Sequence, residues 1–215
     1  MKYLLLIIMI AVAPMVAGCG GETVLPETPE DASEETGSPE ETPVVEAPSG
    51  PLMGKVDVPL SVDGSNSGYP AEALEVAGVV IYLAHDGSNI YVYMQAEVEG
   101  YLAVGLNDRG VMNGANMILG YLDGATPAYR DDLGKARTHD EVAVPAVLDF
   151  FLSRSGGKTV MEFSYPLTFP AGQGYNLGQL SPGETYSLIV ATHRSSDDVT
   201  SAHTARGSID FVVQP

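Results

Sequence analysis

Between Asn89 and Val98 apolar and polar side chains alternate without a break. Ile90, Val92, Met94, Ala96 and Val98 fall on one face, and Tyr91, Tyr93, Gln95 and Glu97 on the other. A period of two is that of a strand with one face turned to a core. Asp86-Gly87-Ser88, directly before it, has turn chemistry and predicts a hairpin with Val79–Ala84. The alternation returns in Tyr101–Leu106, through Leu102, Val104 and Leu106. Further strands are predicted over Met117–Leu122, Val147–Ser153, Thr159–Tyr165, Thr185–Thr192 and Ser208–Val213. Tyr186, Leu188 and Val190 share a face, as do Ile209, Phe211 and Val213. No window of 12 or more residues has helical periodicity, although Pro70–Val76 is compatible with a turn or two, and residues 131–142 read as a long loop. Short strands and frequent turn signals over residues 51–215 predict an all-β fold, an antiparallel β-sandwich without internal repeats.

The chain begins differently. Lys2 is followed by an apolar run, Tyr3–Val16, of about 14 residues, shorter than the roughly 20 that a spanning helix needs. Val16-Ala17-Gly18-Cys19 sets small residues before the sole cysteine and resembles a lipobox, in which a peptidase cleaves ahead of a thiol that carries diacylglyceryl. Residues 1–18 are therefore expected to be a lipoprotein signal peptide, and Cys19 the lipidated residue. With one cysteine, no internal disulfide can form. Residues 19–50 are rich in Pro, Glu, Thr and Ser and cannot bury enough apolar surface to offset backbone ordering, so they read as an acidic, disordered linker. The expected location is the cell envelope, lipid-anchored on the extracytoplasmic face of a membrane.

Charge narrows the partners. The net charge is −18, and without the nine acids of residues 20–50 and Lys2 the remainder keeps 19 acids against 9 bases. Nucleic acid is excluded as a partner, because phosphate contacts need clustered Lys and Arg.

Catalytic signatures are missing. The sequence has no G-x-S-x-G, H-E-x-x-H, Walker loop or G-x-G-x-x-G, and no C-x-x-C-H to attach a c-type haem covalently. Asp131-Asp132 and Asp197-Asp198 are pairs in polar stretches and read as solvated surface. His85 at a hairpin turn, His139 in a polar loop and His193 at a strand end also read as surface residues. Two features stand apart: His203, just before the last strand, and Met112, a thioether in a loop of Asn and Gly.

Both stretches resemble the DOMON domain, whose sandwich is immunoglobulin-like. Gly100-Tyr101-Leu102-Ala103-Val104-Gly105-Leu106 is similar to that family's G-W-x-A-x-G-F strand. Val111-Met112-Asn113-Gly114-Ala115-Asn116 is similar to its M-x-G-A-[DN] turn, followed by Ile118-Leu119-Gly120-Tyr121. Phe163-Ser164-Tyr165-Pro166-Leu167 resembles F-x-R-P-L, and His203, Arg206 and Gly207 match a carboxy-terminal H-x-x-R-G. The resemblance spans residues 55–214 and implies a β-sandwich that holds a b-type haem or a sugar. In its cytochrome members the turn Met and the C-terminal His are the axial ligands. Carried over, Met112 and His203 would bind the iron of haem b, with Met117 a competing thioether that begins a strand. A thioether and an imidazole suit iron, and the thioether raises the potential. With both axial positions filled, such a centre transfers electrons and is not an enzyme; a membrane quinol-oxidising cytochrome would be its redox partner. The chain departs from the family in carrying Tyr101 where Trp is usual. The alternative implied is a carbohydrate- or small-ligand-binding module without haem, for which Tyr101, Tyr129, Tyr165 and Tyr175 are candidate platforms.

Overall fold

The computed structural model describes residues 50–70 and 72–215; the predicted signal peptide, Cys19 and all but the last residue of the linker lie outside them. The described residues form twelve strands and no helix. In chain order these are β1 (Leu52–Lys55), β2 (Leu74–Val76), β3 (Val79–His85), β4 (Asn89–Ala96), β5 (Leu102–Asn107) and β6 (Asn116–Asp123). There follow β7 (Thr126–Gly134), β8 (His139–Glu141), β9 (Asp149–Ser155), β10 (Lys158–Pro166), β11 (Thr185–Thr192) and β12 (Ala205–Val213).

The strands make two packed sheets joined through one strand. The first runs β8-β7-β6-β5-β11-β12-β1, and the second β1-β3-β4-β10-β9, with β2 also on β3. Strand β1 belongs to both. Its Leu52 and Met53 pair in parallel with Val212 and Val213 of β12, and Gly54 and Lys55 pair in parallel with Ala84 and His85 of β3. Gly54 marks the crossing, where a Cβ would lie 2.3 Å from Cγ of Pro70. All other ladders are antiparallel, so the predicted sandwich holds with β1 as its one parallel element.

The main core fills the space between the sheets, and the alternation read from the sequence decides which side chains enter it. Ile90, Val92, Met94 and Ala96 of β4 meet Leu102, Val104 and Leu106 of β5 and Leu188 and Val190 of β11 there. Each large side chain so buried contributes about 1.5–3 kcal/mol. The 79–98 hairpin forms as predicted, in the register Tyr82↔Tyr93. Among the described residues of 70–76 there is no helical turn. The segment ends in β2, because Leu74 pairs with Ile81 and enters the core.

Three polar groups read as surface are buried. His85 closes β3 at 1% exposure, since β1 and the C-terminus pack over the turn, and its Nε2 lies 2.9 Å from the Gln214 carbonyl. Asp131 and Asp132 lie within β7, not in a long loop, and are 1% and 0% exposed. Asp131 accepts from the Ala146 amide at 2.8 Å and the Tyr175 hydroxyl at 3.0 Å, and burial raises its carboxyl above the usual range. Asp132 is met by both Arg130 (2.8 and 3.1 Å) and His139 Nδ1. Such partners are what a buried carboxylate requires.

Candidate functional site

Strands β5, β6 and β11 bury one face in the main core, and their opposite face carries a second apolar cluster. Tyr101, Ala103, Ala115, Met117, Leu119 and Val199 form it, with Met112, Ile189 and Ala191 against it. Where these strands present their smallest residues, a cavity of about 740 Å³ opens over the sheet. Ala103, Gly105 and Ala191 lie in its floor beside Ile189 and Met117. Gly105 keeps this floor low: a Cβ there would lie 2.7 Å from Cγ1 of Ile189 and 3.2 Å from Cγ of Met117.

The walls are three connections. The β5–β6 loop contributes Gly110, Val111 and Met112, the β7–β8 turn contributes Ala136 and Arg137, and the β11–β12 connection with the start of β12 contributes His203, Arg206 and Ser208. Met112 and His203 thus border one cavity. It lies on the outer face of the first sheet.

The loop that carries Met112 is pinned from three sides. Asn107, fully buried, donates from Nδ2 to the carbonyls of Val111 (2.7 Å) and Asn113 (3.2 Å). Asn176 donates from its side chain to the same Asn113 carbonyl at 3.0 Å and from its amide to the Gly114 carbonyl at 2.8 Å. Gly114 (φ 78°) turns the chain so that its amide reaches the Gly134 carbonyl at 2.9 Å, while the Ala115 amide closes onto the Met112 carbonyl at 2.9 Å. Gly134 of β7 has to be glycine, for a Cβ would sit 2.0 Å from the Met112 carbonyl oxygen. The M-x-G-A turn is therefore a rigid corner.

The connection carrying His203 is held as firmly. Tyr101 donates its hydroxyl to the Ser201 carbonyl at 3.1 Å, so the residue standing in place of the family's tryptophan props this loop. His139 Nε2 lies 3.0 Å from the Val199 carbonyl while its Nδ1 meets Asp132, which makes it a strut between β7 and the loop. Arg154 of β9 grips Asp197 with two bonds of 2.7 and 2.8 Å and thereby holds the Asp197 carboxyl below its usual range. His193, stacked on Tyr101 at 5.9 Å between centroids, accepts the Ser195 and Ser196 amides at Nδ1. His139 and His193 are thus half-buried supports for the loop rather than surface residues. His203 itself is exposed at the wall. Burial, then the nearby Arg206 and His139, pull its ring below the ordinary imidazole range, leaving a neutral nitrogen lone pair near pH 7.

The donor set suits a flat, largely apolar cofactor. The volume lies in the roughly 300–1,000 Å³ range of cofactor sites. The floor is small and apolar, and a thioether and a neutral imidazole border it. Met117, buried at 6% exposure, is a second thioether in the floor. The four tyrosines considered as sugar platforms lie elsewhere: Tyr101 and Tyr165 are buried, Tyr175 is packed on Phe169, and Tyr129 covers Phe150. Among the described residues no three His, Cys, Asp or Glu side chains gather as a metal cluster.

Known proteins share this architecture. The cytochrome b domain of pyranose dehydrogenase from Coprinopsis cinerea superposes with a TM-score of 0.51 at 14% identity, covering 63% of this chain and 77% of that one. The cytochrome domain of Myriococcum thermophilum cellobiose dehydrogenase gives 0.48 at 14% identity over 66% and 80%. A family 9 carbohydrate-binding module from Caldicellulosiruptor kristjanssonii, in complex with cellotriose, gives 0.47 at 7% identity over 76% and 93%. At 14% identity the likeness to the first of these speaks to fold alone. No curated protein matches the sequence. The family model described as the DOMON domain matches residues 78–193, a span that includes Met112 and ends before His203. With more than half of its length matched, and with the sandwich that goes with it, this chain belongs to the DOMON domain family.

Proposed function

We propose that the cavity over β5, β6 and β11 holds a non-covalent b-type haem, with Met112 and His203 as the residues that would hold its iron, and that the protein transfers electrons outside the cytoplasm. One observation carries this reading: two residues 91 positions apart, on separately braced loops, border the same apolar cavity. When bound, haem b supplies a one-electron iron couple. The chain's residues do the rest. The Met112 thioether offers a soft donor that favours the reduced state, and the His203 imidazole offers a lone pair that its surroundings keep unprotonated. Both donors are held by hydrogen-bonded backbone, so little reorganisation accompanies electron transfer. Ala103, Gly105, Ile189 and Ala191 exclude water from the floor. Met112 and His203 would both be taken up in holding the group, the role of a binding module rather than of an enzyme. Met112 is preferred to Met117 because it stands on the wall, whereas Met117 lies in the floor, packed on Gly105.

The wider setting belongs to the same proposal. Lipid on Cys19 would hold the protein to the extracytoplasmic face of a membrane, and the acidic linker would give it the reach to meet a quinol-oxidising membrane cytochrome. An absorbance spectrum tests the central part. Full-length protein purified from haem-sufficient cells should be red, with a Soret band that sharpens on reduction by dithionite. Colourless protein that takes up no added haem would end this reading.

A further inference from the structure

The residues bordering the cavity carry a charge opposite to that of the domain around them. From residue 51 onward acids outnumber Lys and Arg by 19 to 9, yet no Asp or Glu borders the cavity, while Arg137 and Arg206 do. Among the described residues most cations are already committed to carboxylates. Arg109, Arg130, Lys135, Arg154 and Lys158 each have one within 4.0 Å. Arg137 and Arg206 have none there and are exposed, one on the β7–β8 turn and the other on β12. In an acidic domain two guanidiniums beside an apolar floor, without a carboxylate partner among the described residues, attract anions, and a guanidinium fork matches a carboxylate bidentately.

We propose that Arg137 and Arg206 form an anion clamp, which selects an apolar ligand bearing carboxylates and fixes its orientation in the cavity. Resting on the haem reading, the clamp would take the two propionates of haem b and leave the macrocycle over the Gly105 floor. It would set which edge of the ligand faces solvent, and Met112 and His203 alone cannot do that. Neither arginine need touch the iron, so both are positioning residues.

Esterification of the ligand separates charge from shape. Haem b and its dimethyl ester, which lacks both propionate charges, are titrated into the haem-free full-length protein and followed by the Soret band. The wild type should bind haem b about tenfold or more tightly than the ester, and the gap should shrink as salt is raised. In R137Q/R206Q the gap should close, through a larger loss of affinity for haem b than for the ester. The thermal midpoint of the haem-free double variant should match the wild type, since neither arginine is buried or has a carboxylate partner among the described residues. Equal affinity of the wild type for both ligands would overturn the clamp and leave the haem reading standing. If neither ligand gives a Soret band, the haem reading falls and the clamp with it. A double variant that keeps the wild-type gap would assign the preference to other residues.

Discussion

The two outer faces of the sandwich are finished in opposite ways. On the second sheet, Tyr82, Tyr93 and Glu162 point outward, and the chain's own 56–70 segment lies over them. Tyr69 packs on Tyr82 and Tyr93 at 6.1 and 6.2 Å and donates its hydroxyl to Glu162 at 3.0 Å. The amides of Asp63 and Gly64 donate to the same carboxylate at 2.9 and 2.7 Å. Gly64 (φ 83°) brings the backbone so near Phe151 that a Cβ would lie 2.2 Å from its ring. On the first sheet, among the described residues, the β11–β12 connection covers part of the outer face through Val199 and leaves the rest open. Around the cavity that face carries the small residues Ala103, Gly105 and Ala191, and the loops stand around it as walls. A sheet face that the protein covers itself has large side chains and a satisfied polar anchor. The open face has small ones, with Met112 and His203 at its rim.

Exchanging these properties should break one face and spare the other. His203→Ala removes a donor from the open face and should abolish stable haem binding, read as loss of the Soret band, with the circular dichroism of the sheets unchanged. Gly105→Leu fills the floor; haem affinity should fall by about 100-fold, with about 1–3 kcal/mol of strain lowering the urea midpoint. On the closed face Glu162→Ala should cost about 2–3 kcal/mol in urea unfolding, since it strands three donors, and should leave haem affinity within error.

The Glu162 anchor also has a pH signature. Burial raises its carboxyl above the usual range, against the opposing bonds from Gly64, Tyr69 and Asp63. A carboxyl whose folded-state pKa is raised contributes stability that is fully present below the unfolded value and is lost as pH rises through the folded one. The difference in urea midpoint between wild type and Glu162→Gln should therefore shift against the wild type as pH climbs from about 4.5. A difference independent of pH would contradict this. The smallest effect concerns the β2–β3 hairpin, whose two-residue turn puts both Ala77 (φ 54°) and Gly78 (φ 77°) in the left-handed region. Ala77→Asn should stabilise by about 0.5–1 kcal/mol without touching either face.

Much of this was legible along the chain, wherever one physical rule acted alone. Strict alternation located β4, β5, β11 and the core side of β12, since a period of two admits no other arrangement with one buried face. Strand β7 was missed because Thr126–Gly134 carries Arg130, Asp131 and Asp132 where a strand shows apolar residues. Its carboxylates are buried by partners distant in sequence, Tyr175, Ala146 and His139, which no local pattern reveals. His85 was misread for a related reason: the C-terminal Gln214 covers a turn that looks open in sequence. Of the site, Met112 and His203 stood out through the family motifs. The cavity's position over a sheet, the Gly105 floor and Arg137 did not, because they depend on which loops rise beside which strands. Gly134 is similar, as its role is defined by the Met112 carbonyl it faces across the ladder.

The central claim is that the thioether of Met112 and the imidazole of His203 hold one iron. Thioether coordination to ferric haem gives a sulfur-to-iron charge-transfer band at the red end of the spectrum, which no nitrogen or oxygen ligand supplies. The band should be present in the oxidised wild type, absent in Met112→Ala and retained in Met117→Ala. A haem-loaded wild type without it, or a band that survives Met112→Ala and vanishes with Met117→Ala, would contradict the account.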